Sequence, residues 1–322
     1  MNMKELRRDM ITGDIVIYSS YRNKRPLDKV KNALEFDDRG EEYSPTCPFC
    51  RGNESECESL KDIIKDCDGN WLAKSVSNKF PILDMSTEEI FGEHEVIIES
   101  HRHNGSYYNM TEKEFENTFR LMSRRYNELS KTDGVKYVSI FKNSKRNAGA
   151  SLMHPHSQII SFNIIPPEIE KEILVSDDYR EKNGKNLYED MVLEEEKYGK
   201  RVIYNGKFFI VFIPYATRYN GEVRIVSKNN VGVGDWNDEN IKELSFIFSN
   251  LFKNMEQYQG DIPFNIIVHS NTTEGKIGKE LRTHFHIIPR KYNFGGFELT
   301  TGLFVCGSDP DELAEAYRIH KK

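Results

Sequence analysis

The chain has 322 residues, enough for two domain-sized units, with 30% charged residues and a formal net charge of −6. That balance argues against a nucleic-acid groove, although it leaves room for a local anion site. No segment approaches the ~20 apolar residues of a membrane span, and the N-terminal stretch lacks the apolar run of a signal peptide, so a cytoplasmic location is expected.

Short runs rich in β-branched and aromatic residues predict strands at Ile15–Tyr18, Glu95–Glu99, Tyr137–Lys142, Gln158–Ser161, Phe208–Ile213, Glu222–Val226, Phe264–His269 and His284–Pro289. Helical spacing predicts helices over Thr111–Lys131 and Asp238–Tyr258. Thr111 and Glu114 have the form of a capping box at the start of the first. Residues 168–200 are highly charged and read as the crossing between two halves.

The halves look related. Glu95-Val-Ile-Ile-Glu-Ser-His-Arg-His103 aligns without gaps to Glu222-Val-Arg-Ile-Val-Ser-Lys-Asn-Asn230. Each segment is followed by a long helix, an apolar strand and a His-x-His pair, His154/His156 and His284/His286. The same order of elements twice over is the signature of an internal duplication. The class is therefore α+β.

The chemistry concentrates in Asn-Ala-Gly149-Ala-Ser151-Leu-Met-His154-Pro-His156-Ser-Gln158. Residues two apart on a strand share a face, so His154, His156 and Gln158 are expected to project together, with Gly149 and Ser151 close by. Two imidazoles and an amide suit phosphate chemistry: one ring attacks, the other binds metal or orients, and the amide holds an oxyanion.

Five cysteines are an odd number, and two of them form Cys47-Pro-Phe-Cys50. Without an export signal, that spacing reads as metal binding rather than a disulfide. His154 and either His103 or His101 complete a mixed thiolate and imidazole set, which favours zinc. In the second half, Asn186 and Glu189 stand where a second Cys-x-x-Cys would fall, and Asn230 matches His103. Only His284 is expected to remain of a second zinc set. A different site, from Glu172, His269, His284 and His286, suits zinc or iron; packing and hydrogen bonding explain His269 and His284 equally well.

These motifs, with Arg8-Asp-Met-Ile-Thr-Gly-Asp14, Ser20-Tyr-Arg-Asn-Lys-Arg-Pro26, Asn78-Lys-Phe-Pro81 and Gly295-Gly-Phe-Glu298, resemble the galactose-1-phosphate uridylyltransferase family of the histidine-triad superfamily across almost the whole chain. The resemblance implies two fused histidine-triad-like halves, 1–170 with the zinc site and nucleophile and 171–322, each an antiparallel sheet with helices, commonly in a homodimer. It implies zinc on Cys47, Cys50, His103 and His154, which selects His103 over His101. His156 is implied as the nucleophile, with Gln158 beside it. Arg22, Asn78, Phe80, Asn143, Gly149, Ser151 and Gln158 are implied to line the nucleotide and phosphate site.

The activity so implied moves a nucleoside monophosphate, UMP in the simplest case, between a nucleotide sugar and a hexose 1-phosphate through a covalent nucleotidyl-histidine. Two departures bear on the base. Lys79 replaces the Asp usual after Asn78, and the Gly-Gly-Phe-Glu ending also occurs in ADP-glucose phosphorylase-like relatives. An adenylyl transfer to inorganic phosphate is thus the alternative, and a catalytically silent nucleotide-binding protein is the third. Gln158 cannot shuttle a proton, so an acceptor that arrives ionised suits the site better than water.

Overall fold

The structure, a computed structural model, describes residues 4–21, 40–273, 278, 280–291 and 293–320. The chain opens with a hairpin, β1 (Lys4–Arg8) and β2 (Ile15–Ser19). Then come β3 (Leu60–Lys65), β4 (Trp71–Ser77), β5 (His94–Ile98), α1 (Glu112–Leu129), β6 (Tyr137–Ser144) and β7 (His156–Phe162). Two helices, α2 (Pro167–Asn183) and α3 (Leu187–Tyr198), cross to β8 (Val202–Asn205), β9 (Phe209–Phe212) and β10 (Val223–Ser227). The chain continues through α4 (Asp238–Gln259), β11 (Phe264–His269), β12 (His284–Pro289), α5 (Gly296–Thr301), β13 (Phe304–Cys306) and α6 (Pro310–Tyr317).

The predicted strands and both long helices are all present, with boundaries shifted by one or two residues. The capping box forms as expected: Thr111 accepts from the Glu114 N–H, and Glu114 accepts from the Thr111 N–H. The charged crossing is helical, with Pro167 in the first turn of α2 and Asn186 capping α3. The sequence pattern missed β1, β3, β4, β8 and β13. In β4 the cause is visible: Lys74 and Ser75 are both buried, which hides the alternation.

Ten strands form one sheet in the order β3-β4-β5-β7-β6-β11-β12-β10-β9-β8, every neighbouring pair antiparallel. The first five strands and the last five repeat one order about the β6–β11 seam, so the two antiparallel units expected from the duplication are fused edge to edge. Helices α1 and α4 pack together on one face of this sheet over a core shared by both halves. Strand alternation divides the layers: Phe209 and Val211 face α4, whereas Ile210 and Phe212 face α2 and α3. The hairpin joins β13 in a small sheet and reaches the second half through Asp9, which accepts from Arg224 at 2.5 Å. Among the described residues, no helix is long and apolar enough to cross a membrane.

Phe248 of α4 is fully buried, 4.9 Å from the Phe119 ring and 5.4 Å from the Phe285 ring, and so ties helices and strands of both halves together. Phe248→Ala is expected to cost about 3–5 kcal/mol of stability, read as a lower urea midpoint at unchanged slope.

Candidate active site and metal-ligating clusters

Strand β7 begins at His156, and His154 lies in the bend before it. This corrects the expectation that His154, His156 and Gln158 project together. The carbonyl of Pro155 accepts from the Glu99 N–H at 3.1 Å as the chain enters the strand, and the His154 ring turns toward Cys47 and Cys50. His156 and Gln158 remain on the sheet face opposite α1, opposite Ile98 and Val96 of β5.

The four predicted zinc ligands converge. Cys50 Sγ is 3.5 Å from His103 Nδ1 and 3.6 Å from His154 Nδ1, and Cys47 Sγ is 3.8 Å from His154 Nδ1. A tetrahedral ion with bonds of about 2.0–2.3 Å requires donor separations of about 3.3–3.8 Å, so the donor set fits. His154 Nε2 donates to the Ser100 carbonyl at 2.8 Å, which leaves Nδ1 as a lone pair facing the thiols. Burial pushes the Cys47 thiol up to about 11 and the His154 ring down to about 3. A cation is what would draw the thiolate form out of such a place. His103, rather than His101, belongs to the group.

His156 donates from Nδ1 to the His154 carbonyl at 2.8 Å, so Nε2 carries the lone pair. Burial and the nearby Lys142 charge lower its pKa and favour the neutral ring. Below the strand, Lys142 donates to Glu99 at 2.5 Å and to the His156 carbonyl at 2.9 Å, while Ser157 and Tyr107 donate to the other Glu99 oxygen. The Phe49 ring, from the Cys-x-x-Cys turn, stands edge-on to His156 at 5.5 Å.

A cavity of about 760 Å³ opens over His156 and Gln158, lined also by Asn78, Lys79, Phe80, His94 and Ser151. Its size suits a small ligand. Phe80 is 81% exposed, an aromatic ring at the cavity wall. Asn78 accepts from the Phe80 N–H at 2.9 Å, and its amide nitrogen lies 3.0 Å from His94 Nε2. Asn143 lies apart, in a narrow crevice on the His154 side, where Gly149 adjoins it in a left-handed conformation with φ of 93°. Arg22 lies outside the described residues. Sequence reasoning missed Glu99, Lys142, Phe49 and His94. His94 was within reach, because it lies two and four residues before Val96 and Ile98, the cross-strand partners of Gln158 and His156, and so shares their face.

The strand registers also revise how the halves correspond. Ile98 stands opposite His156 across β5 and β7, and Val226 stands opposite His284 across β10 and β12. Both histidines begin their strands and both donate Nδ1 to the carbonyl two residues before, His284 to Arg282 at 2.7 Å. His284 therefore matches His156, His286 matches Gln158, and Arg282 matches His154. The expectation that His284 survives from a second zinc set is corrected: that position is Arg282. Arg282 donates to Glu189, and Asn186 donates to Glu280, so hydrogen bonds and an ion pair occupy the place of metal bonds.

Glu172, His269, His284 and His286 nonetheless gather, with one ligand atom from each within 4.8 Å of the others. His269 Nδ1 is 2.9 Å from Glu172, and His286 Nδ1 donates to Glu222 at 2.7 Å. Among the described residues, Glu172 Oε2, His284 Nε2 and His286 Nε2 are buried without hydrogen-bond partners, with Glu172 Oε2 and His284 Nε2 3.5 Å apart. Burial would raise the Glu172 carboxyl, yet the His269 and His284 rings hold it well below the usual range. An anionic carboxylate and unpaired ring nitrogens fit a divalent cation.

A family profile described as the N-terminal domain of a domain of unknown function, DUF4931, matches residues 38–165. An ADP-glucose phosphorylase from Arabidopsis thaliana is 28% identical over an alignment covering 98% of this chain and 92% of that protein. The crystal structure of an ADP-glucose phosphorylase from Arabidopsis thaliana with bound ADP-glucose superposes with a TM-score of 0.85 at 27% identity, covering 99% of both chains. A galactose-1-phosphate uridylyltransferase from Thermotoga maritima is 31% identical over 71% of this chain and 68% of its own length. On that likeness, and on the fold and motifs above, the chain belongs to the galactose-1-phosphate uridylyltransferase family of histidine-triad nucleotidyltransferases.

Proposed function

We propose that the protein transfers a nucleoside monophosphate from a nucleoside-diphosphate hexose to a phosphate oxyanion by two displacements at His156. The observation that carries this reading is the 2.8 Å bond from His156 Nδ1 to the His154 carbonyl, which turns the Nε2 lone pair into a ligand-sized cavity beside Gln158. The His156 Nε2 pair attacks the α-phosphorus and an N–P bond forms. The bond from that phosphorus to the bridging oxygen breaks, and hexose 1-phosphate leaves with the electron pair. An acceptor phosphate oxygen then attacks the same phosphorus, and the N–P electrons return to Nε2. In this reading Gln158 and Ser151 donate to the phosphoryl oxygens. Gly149 allows close backbone approach, and Asn78, Phe80, Asn143 and Arg22 hold the nucleotide. Residues 1–170 form the reacting half and 171–322 its companion, in a cytoplasmic homodimer.

Two donors fit. The uridylyl reading, with a hexose 1-phosphate acceptor, is supported by the Thermotoga maritima relative. The adenylyl reading, with inorganic phosphate as acceptor, is supported by the Arabidopsis thaliana relative, whose alignment spans 98% of the chain. Lys79 at the cavity wall, in place of an acidic residue, also favours a changed nucleotide contact.

Zinc is the ion proposed for Cys47, Cys50, His103 and His154. It would clamp the Cys-x-x-Cys turn to the bend before β7, and four protein ligands leave it no open position for Lewis-acid work. Cys50→Ala is expected to lose the zinc measured by elemental analysis and to lower thermal stability; equal zinc in both proteins contradicts the assignment. A second ion is proposed at Glu172, His269, His284 and His286. Metal above one equivalent per chain, lost in His284→Ala, is the expected result.

With UDP-glucose or ADP-glucose and no acceptor, the intact mass is expected to rise by one nucleoside monophosphate, mapped to His156. The sugar that labels the chain identifies the base, and release by galactose 1-phosphate or by inorganic phosphate identifies the acceptor. His156→Gly should bind without labelling and lose turnover by several orders of magnitude. Binding without labelling in the native chain would instead support the catalytically silent alternative.

A further inference from the structure

We propose that His94, which lies outside the His-x-His-x-Gln segment, is the positioning residue that decides which end of the Gln158 amide meets the transferred phosphoryl group; this rests on the nucleotidyl-transfer reading above. His94 opens β5, is 5% exposed, and is held from two sides. The Ile82 N–H, a backbone donor, lies 3.1 Å from Nδ1, so Nδ1 must offer its lone pair. On a neutral ring the proton is then on Nε2. Nε2 lies 2.8 Å from Gln158 Oε1 and donates to it. Nε2 carrying that proton has no lone pair for the Asn78 amide nitrogen 3.0 Å away, whose acceptor on this ring is Nδ1 at 3.5 Å. Burial lowers the His94 pKa, with the Gln158 bond opposing it, so the ring stays neutral at physiological pH.

The consequence falls on Gln158. A side-chain amide can present either a carbonyl oxygen or an NH2 group, and the two act oppositely on a phosphoryl oxygen: one repels it, the other donates to it. With the carbonyl end occupied by His94, the NH2 end is the one left for the phosphoryl group over His156. As the N–P bond forms and the P–O bond breaks, the non-bridging oxygens gain charge that this donor stabilises. The same arrangement keeps a hydrogen-bond acceptor away from an attacking water, so it favours an anionic phosphate acceptor.

The second half supplies an independent parallel. In the register that matches His286 with Gln158, Glu222 takes the place of His94. Glu222 accepts from His286 Nδ1 at 2.7 Å, so a polar link joins the same two positions although both side chains differ. The position is thus used twice to orient a side chain on the neighbouring strand.

The test has two arms. Nitrogen-15 NMR of the imidazole rings should show His94 as the neutral Nε2–H tautomer at about pH 7 to 8. An Nδ1–H tautomer, or a ring that titrates in that window, overturns the proposal. In the kinetic arm, His94→Phe should lower kcat by roughly 10- to 100-fold with KM within about 2-fold, while circular dichroism stays native. His94→Gln, which restores an N–H donor, should recover most of the loss. In a Gln158→Ala background, His94→Phe should change nothing further. Unchanged kcat in His94→Phe, or effects that add to Gln158→Ala, overturn the proposal. If the native chain labels with neither nucleotide sugar, the transfer reading fails, and the NMR arm alone decides whether His94 orients Gln158.

Discussion

Lys142 is a buried ammonium beneath His156, and the geometry of the site depends on how its charge is met. A buried charge is costly unless paired and fully hydrogen-bonded. Here Glu99 supplies the opposite charge, the His156 carbonyl accepts a second bond, and the Tyr107 ring lies 4.6 Å from Nζ. Glu99 in turn takes hydroxyl donors from Tyr107 and Ser157. These partners lie on β6, just past β5, on β7 and in the loop before α1. A one-residue slip of β7 would carry the His156 carbonyl away from Lys142 and leave the pair unsatisfied. The polar group under the sheet therefore specifies the register above it, where His156 and Gln158 must line up with the cavity.

Much of this was legible in the chain itself, and the parts that were not share a physical cause. Cys47-x-x-Cys50 and His154-x-His156 announce their chemistry because thiolates and imidazoles are rare and their spacing is restricted. Long amphipathic helices such as α1 and α4 announce themselves by period. Strand β4 does not, because burial on both faces by Trp71, Lys74 and Ser75 erases alternation. The turn of His154 away from the strand was illegible for another reason. Strand parity assumes that the strand has begun, whereas here the bend and Pro155 delay it to His156. The match between halves was one residue off, since an ungapped alignment weighs Glu95 and Glu222 alike, while the hydrogen-bonded registers pair His94 with Glu222.

The two halves solve one mechanical problem with different chemistry. Each must pin a loop to the residue two positions before a strand-opening histidine. In the first half Cys47, Cys50 and His103 surround His154. In the second Glu189 meets Arg282, and Asn186 holds Glu280 while capping α3. Metal bonds are strong and directional, whereas an ion pair with a partly exposed carboxylate is weaker and more tolerant. With an ion held by those four side chains, the stiffer clamp would lie on the side that the proposed chemistry uses. The softer clamp lies beside the Glu172 cluster, where buried ring nitrogens have no hydrogen-bond partner among the described residues.

The seam between the halves also sets the order of events during synthesis. Strand β6 pairs with β11 from Ser144 opposite Phe264 to Ile140 opposite Val268, partners more than a hundred residues apart in the chain. When the first five strands of the sheet have left the ribosome, β6 is a bare edge with its backbone groups unpaired. It stays so until α2, α3, β8 to β10 and α4 have followed and β11 arrives. The aromatic core under α1 is likewise open on the side that α4 will cover. The nascent first half is thus a half-sheet with a sticky border, and its exposure to aggregation is governed by translation speed and chaperone capture as much as by the stability of the finished fold.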